Sequence, residues 1–353
     1  MLRCSGFEQY PVRRVDHGGC EAMRKSFACP ICGEQTWISL ATKHYYKKDL
    51  ACLAPYLHRR YSILFATWFR GLEEAEIVSV LCASCGFGAF SPRPTEEEVE
   101  AKYLDYLPPG TSAPGLDLGN EADRKRAAQL HQDLSPFVAT GAEILDYGGN
   151  DGRLMQPFLR DGCTCFLVDY SKKSVPGVVR LGSTVADIEA GRTFPLIVLS
   201  HVLEHVAEPL ELVCSLRSHQ VEGGILYLEV PMELWGQVPP AREPLTHINF
   251  FTPPVVESLL RRSLYEPIRC GLKWHPAHRS ALVVQAIGRA RLDAPGKAIA
   301  TPRAADYAFE MMQLSPKALL RVLRIDWRRV LFIMKFGLLR SLYRRLKRSF
   351  TGQ

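Results

Sequence analysis

Three observations predict an α/β fold on a mostly parallel sheet for residues 121–290. Apolar, strand-like runs alternate with helix-like segments, the pattern of a sheet covered on both faces. The first run delivers a glycine-rich turn, Asp146-Tyr147-Gly148-Gly149-Asn150-Asp151-Gly152, to the start of a helix. The final two runs, IRCGLKW and ALVVQAIG, follow one another without an intervening helical pattern and read as an antiparallel pair.

EADRKRAAQLHQDL reads as a helix, EILDYG as a short strand running into glycines, and RLMQPFLRDG as a helix with a glycine stop. CTCFLVDY is a strand ending in an acid, and VADIEA is expected at the third strand position. FPLIVLS is a buried strand, a helix follows from about 208 to 219, and GGILYLEVP is the next strand. In such sheets ligands bind beyond the carboxyl ends of the strands.

Four segments result: 1–106, with two CxxC pairs and many aromatics; a Pro/Gly-rich linker or active-site loop, 107–120; the α/β core, 121–290; and a loop with a basic tail, 291–353. The 353 residues carry a formal charge of +7, unevenly spread. Residues 316–353 hold eleven Lys or Arg against one acid, a net of +10, so the first 315 carry −3. A nucleic-acid enzyme needs a basic face for phosphate, and the body as a whole offers none, so no nucleic-acid partner is expected. The N-terminus has no apolar core of a secretory signal, and eleven cysteines, an odd number, fit reduced thiols or metal ligation in a cytoplasm better than a disulfide framework.

A Gly-rich strand-to-helix turn alone is shared with dinucleotide enzymes, but Asn150 breaks their G-x-G-x-x-G pattern. Asp146 two residues before the first glycine, Asp169 ending the second strand, Asp187, then LIVLSHVLEHVAEP and GGILYLEVP form an ordered series. The series resembles the class I S-adenosylmethionine-dependent methyltransferases, which implies a Rossmann-like seven-stranded sheet, mostly parallel, with the last strand antiparallel. The resemblance implies that Gly148, Gly149, Asn150 and Gly152 form the loop beside the methionine part of the cofactor. Asp146 would hold the methionine ammonium, directly or through water, Asp169 the ribose, and Asp187 and Ile188 the adenine border; Tyr170 would also touch the cofactor, and Ser200, His201 and Val202 would pass nearby. Two departures stand out: Asn150 occupies the middle glycine position, and FPLIVLS lacks the acid many relatives have after the Phe. His201, Glu204 and His205 suggest a metal or acid-base cluster, and His201 and His205, at i and i+4, can face one metal. The sequence shows no third ligand, so packing or substrate contact is the better reading of His205.

Cys29-Pro-Ile-Cys32 and Cys82-Ala-Ser-Cys85, each followed by glycine, suit a structural four-cysteine zinc site. The interval between the pairs is too long for a compact ribbon and must hold an insertion; redox thiols are the alternative. The order of cysteine region, YLDYL, GGNDG and a His-x-x-x-Phe segment resembles the sugar C-methyltransferases, and HINFF also resembles methyltransferases of polysaccharide gene clusters. This resemblance implies His247 as base and Tyr103 or Tyr106 as an active-site tyrosine, Tyr106 being the candidate retained. In that family an acid usually precedes the histidine; here it is Thr246.

The expected function is methyl transfer from S-adenosylmethionine to a small molecule, a nucleotide-linked sugar or glycan, at carbon or oxygen. The alternatives are an RNA or protein methyltransferase docking through the zinc region and tail, and a non-catalytic cofactor-binding scaffold. Ser315-Pro316 is a helix start. Beyond it Leu320, Leu323, Trp327, Leu331, Met334 and Leu338 form an apolar stripe among basic residues. That basic helix can pack on its own domain or a protein partner, or lie peripherally on an anionic membrane.

Overall fold

The computed structural model of the chain describes residues 27–103, 121–235, 245–274, 282–292 and 304–314. Seven strands form the main sheet: β4 (Glu143–Tyr147), β5 (Thr164–Val168), β6 (Val178–Gly182), β7 (Phe194–Ser200), β8 (Gln220–Pro231), β10 (Tyr265–Trp274) and β11 (Leu282–Ala290). Their order is β10-β11-β8-β7-β4-β5-β6, and β11 alone runs against its neighbours β8 and β10. The central pairings are parallel, with Ile144 beside Leu196 and Cys165, and Asp146 beside Val198 and Leu167.

Alternation along the strands divides the core into two layers. Ile144, Leu196 and Val198 face one layer; Leu145, Ile197 and Leu199 face the other. The first layer is closed by α3 (Glu121–Leu134) and α4 (Gln156–Arg160). α3 lays Ala127, Leu130 and Leu134 on the sheet at helical spacing. The second layer is closed by α5 (Pro209–Arg217) and α6 (Pro253–Arg262), whose Val213, Leu216, Val255 and Leu259 are fully buried.

The same second layer continues into the cysteine region. There β1 (Trp37–Tyr46), β2 (Glu74–Cys82) and β3 (Gly88–Ser91) form an antiparallel sheet, with α1 (Pro55–Ala66) between β1 and β2. The fourth strand, β9 (Asn249–Phe250), comes from far along the chain and pairs antiparallel with β3. α2 (Glu96–Ala101) follows β3 and opens with a capping box, in which Thr95 and Glu98 satisfy each other's amides at 2.8 and 3.3 Å. The last described helix, α7 (Ala304–Gln313), buries Ala308 and Met311 in this core.

Three readings from the sequence change. The third strand is VVRLG of β6, and Asp187 lies in the 3-10 turn Val185–Asp187 after it. RLMQPFLRDG is a 3-10 turn, Arg153–Met155, running into the short α4. α7 lies ahead of Ser315, in the part of 291–353 read as loop. Tyr106, the segment 107–120 and the basic tail 316–353 lie outside the described residues. Among the described residues no helix is long and apolar enough to cross a membrane.

Candidate active site

β4 ends at the glycine turn, and its backbone demands these residues. Gly148, Asn150 and Gly152 have φ of 73°, 60° and 74°. Asn150 therefore fills the middle glycine position with one of the few side chains that tolerate left-handed backbone. A Cβ on Gly148 would lie 2.4 Å from Val202, and one on Gly149 would lie 2.0 Å from the Asp146 carboxylate. Asp146 is 1% exposed, and its Oδ2 meets no hydrogen-bond partner. Burial pushes its carboxyl up to about 7, against the pull of Arg126. The Asp169 carboxylate bridges the turn, accepting the Asn150 amide at 2.9 Å and the Ser171 amide at 2.6 Å. Burial raises this carboxyl and the two amides offset part of the rise.

A cavity of about 810 Å³ opens at this edge. Of the residues the sequence singled out for the cofactor, Gly148, Asn150, Asp169, Tyr170, His201 and Val202 line it. Asp187 and Ile188 do not. The Asp187 carboxylate is turned away to accept the Ser183 and Thr184 amides at 2.7 and 2.9 Å, and Ile188 is packed in the core. The wall expected of these two residues is built by Ser183, Thr184, Val185 and Ala186 instead. Gly149, Gly152 and Asp146 support the turn from behind. Ser200 sits beneath it, donating to Glu229 at 3.2 Å. The opposite wall comes from the cysteine region, through Glu96, Val99 and Tyr103. Tyr103 stacks on Tyr170 at 6.0 Å and meets His205 edge-on at 6.2 Å.

An S-adenosyl cofactor fits these residues. The bare Cα atoms of the turn allow close approach of its methionine part, and the orphaned Asp146 oxygen lies just behind the turn, against Gly149. Beyond Asp169, Val185 and Ala186 offer apolar surface and Ser183 and Thr184 polar atoms, a mixed wall that suits a purine.

Beside the cavity, histidines and acids are packed together. His201, with φ of 59°, directly follows β7 and holds Glu204 through Nδ1 at 3.1 Å. His205 donates Nδ1–H to the Thr246 carbonyl at 2.6 Å. Its ring lies 5.0 Å from that of His247, whose Nδ1 is 2.8 Å from Glu233. Burial drives His205 down to about 3, against the pull of Glu204, so its imidazole is neutral at pH 7. Burial also acts to lower His247, but Glu233 and Glu204 outweigh it and leave His247 above the ordinary histidine value. The acid missing before His247 in sequence thus arrives from Glu233, just beyond β8. Asn249 also escaped the sequence reading. Its amide donates to the carbonyls of Leu203 at 2.6 Å and Val206 at 2.7 Å, bracing the turn that carries Glu204 and His205. The only signal was its place two residues after His247.

The four cysteines converge although 49 residues separate the pairs. Cys29 Sγ lies 3.6 Å from Cys85 Sγ, and Cys32 Sγ 3.5 Å from Cys82 Sγ, with all four sulfurs within 4.8 Å. A tetrahedral ion with Zn–S bonds of about 2.3 Å separates its sulfurs by about 3.8 Å, so the set fits. The two turns are copies of one local structure. Cys29 N–H donates to Glu34 O and Gly33 N–H to Cys29 O, both at 2.8 Å. Cys82 N–H donates to Phe87 O at 2.8 Å and Gly86 N–H to Cys82 O at 3.0 Å. Gly33 and Gly86 have φ of 82° and 73°.

Residues 120–267 match a family model described as a methyltransferase domain. With the seven-stranded, mostly parallel sheet, this identifies the class I S-adenosylmethionine-dependent methyltransferase fold in the core of the chain. Two ubiquinone biosynthesis O-methyltransferases are similar. That of Dinoroseobacter shibae is 32% identical over 117 residues, 29% of this chain and 47% of the relative. One from Cereibacter sphaeroides is 31% identical over 114 residues, 28% of this chain and 46% of the relative. The chain therefore spans slightly under half the length of these relatives. A solved structure of the Burkholderia thailandensis 1,6-didemethyltoxoflavin-N1-methyltransferase, with that substrate and S-adenosylhomocysteine bound, is 18% identical. Its TM-score is 0.41, over 56% of this chain and 87% of that one.

Proposed function

We propose that the protein transfers a methyl group from S-adenosylmethionine to a small-molecule acceptor, with a sugar as the acceptor class, and that its four cysteines hold a structural zinc ion. The observation that carries the reading is the Glu233–His247 pair, 2.8 Å apart, packed on His205 at the cofactor cavity. S-adenosylmethionine supplies an electrophilic methyl on a sulfonium. Asp146 holds its ammonium and Asp169 its ribose hydroxyls, while Gly148 and Asn150 let the backbone close around it. The attacking oxygen or carbon of the acceptor forms the new bond to methyl as the sulfur–methyl bond breaks, and the acceptor's proton passes to His247 Nε2. Glu233 fixes the ring so that this nitrogen carries the lone pair, and stabilises the imidazolium that forms. Tyr103 and α2 shield the site from water on the side opposite the glycine turn.

The test is a methyl-transfer screen over nucleotide-sugars, with the product located by NMR. His247→Ala should retain S-adenosylhomocysteine binding in calorimetry and lower turnover by a factor on the order of 10³. An active variant removes His247 as base, and wild-type protein that binds no cofactor overturns the whole reading.

A further inference from the structure

We propose that Glu204, His205 and His247 form a second metal site, for a divalent transition ion of the zinc class, separate from the four cysteines. One ligand atom from each lies within 4.8 Å of the other two, and His205 Nε2 is 3.6 Å from Glu204 Oε1. The tautomers suit coordination. A carbonyl only accepts, so His205 Nδ1 is the donor to Thr246 O, and Nε2 keeps the lone pair. His247 Nδ1 faces the Glu233 carboxylate in the same way. A metal-bound imidazole characteristically donates its other N–H to a carbonyl or carboxylate, which fixes the ring and raises its basicity.

The carboxylate supplies the independent observation. Glu204 is 1% exposed; His201 occupies Oε1, and Oε2 is buried without a hydrogen-bond partner. Leaving a buried carboxylate oxygen without a donor is costly, and a cation satisfies it. The ligands come from two segments that brace one another, since Ile248 N–H donates to Glu204 O at 2.8 Å and Asn249 clasps the turn around Glu204. Two nitrogens and one oxygen suit zinc, cobalt or nickel and leave a tetrahedral ion one open position. Among the described residues, the thiolates of the other cluster belong to a different part of the molecule. An ion here would occupy the His247 lone pair that methyl transfer uses, so the loaded form would be inactive. The site itself rests on geometry and stands independently of the proposed reaction.

Purified full-length protein, carrying whatever ion it holds tightly, would be titrated with Co(II). The expected result is one further equivalent per chain, with the weak visible bands of nitrogen–oxygen coordination and no intense near-ultraviolet thiolate band. If zinc already fills the site, metal analysis gives two ions per chain. His205→Ala and His247→Ala, on separate segments, should each lose that equivalent while still binding S-adenosylhomocysteine, which reports the fold. A total of no more than one ion per chain after the titration, thiolate bands on the second equivalent, or retention of that equivalent by both variants overturns the site. Zinc at the second equivalent should stop methyl transfer, and an undiminished rate overturns the overlap with His247. Loss of cofactor binding in wild type would sink the proposed function and leave the metal result intact.

Discussion

In the main sheet each central strand is fixed from both sides: Ile144 and Leu145, adjacent in β4, belong to different layers of the core. The sheet of the cysteine region has no such pair of layers. Its Ile77, Leu81, Phe87 and Phe90 join the layer that already packs α5 and α6, and its fourth strand is borrowed from residues 249–250. One region is held by alternation along continuous apolar strands. The other brings together four sulfurs on two matching turns and a shared core. Burial in the first has two faces, whereas in the second it has one, shared with the main sheet.

The comparison breaks most sharply at the cysteines. Zinc binding by small modules supplies on the order of 10 kcal/mol. Cys82→Ser should lose about one bound ion per chain and collapse the β1–β3 sheet, read by metal analysis and near-ultraviolet circular dichroism. An unchanged metal content refutes the four-sulfur site. Next come the paired glycines. Gly86→Ala meets left-handed backbone and Ala304 O at 2.5 Å, whereas a Cβ on Gly33 meets nothing within 4 Å. Urea denaturation should show a loss of about 3 kcal/mol for Gly86→Ala and about 1 kcal/mol for Gly33→Ala. Equal losses would mean that α7 does not rest on the second turn.

The main sheet should answer in binding rather than folding. Asp169→Ala is expected to weaken S-adenosylhomocysteine affinity tenfold or more, about 1.4 kcal/mol, by calorimetry. The smallest effect is that of pH on Asp146, whose carboxyl is raised from 3.8 to about 7. The ligand's ammonium needs the ionised form, so affinity should rise about tenfold between pH 6 and 8, and Asp146→Asn should flatten the profile. In ligand-free protein the sign reverses. The unfolded chain ionises first, so this group's contribution to stability falls as pH rises from about 4 to about 7.

The sequence revealed most where burial is continuous. EILDY, TCFLV and FPLIVLS are almost wholly buried and were found as strands. VVRLG, the third strand, is half exposed, so its pattern was weak and VADIEA was placed there instead. β9 is two residues long, too short for any periodicity. The glycine turn and the CxxC pairs were legible because their chemistry is local. Glu233 and Asn249 were not, because each acts on residues more than ten positions away, and only folding brings them together. The same limit hid the Glu204–His205–His247 cluster: Glu204 and His205 are neighbours in sequence, and His247 lies 42 positions beyond His205.

The pairing of β9 with β3 also sets a timetable. Translation delivers β3 about 160 residues before β9, which at 5–20 residues per second is roughly 8–30 s. Throughout that interval the outer edge of β3 leaves the ribosome with its amides and carbonyls unpaired, a surface on which nascent chains can associate. Both CxxC turns are already synthesised by then. Early metal capture would stiffen the unfinished sheet while it waits, so zinc supply during synthesis should govern soluble yield more strongly than zinc added to the finished protein.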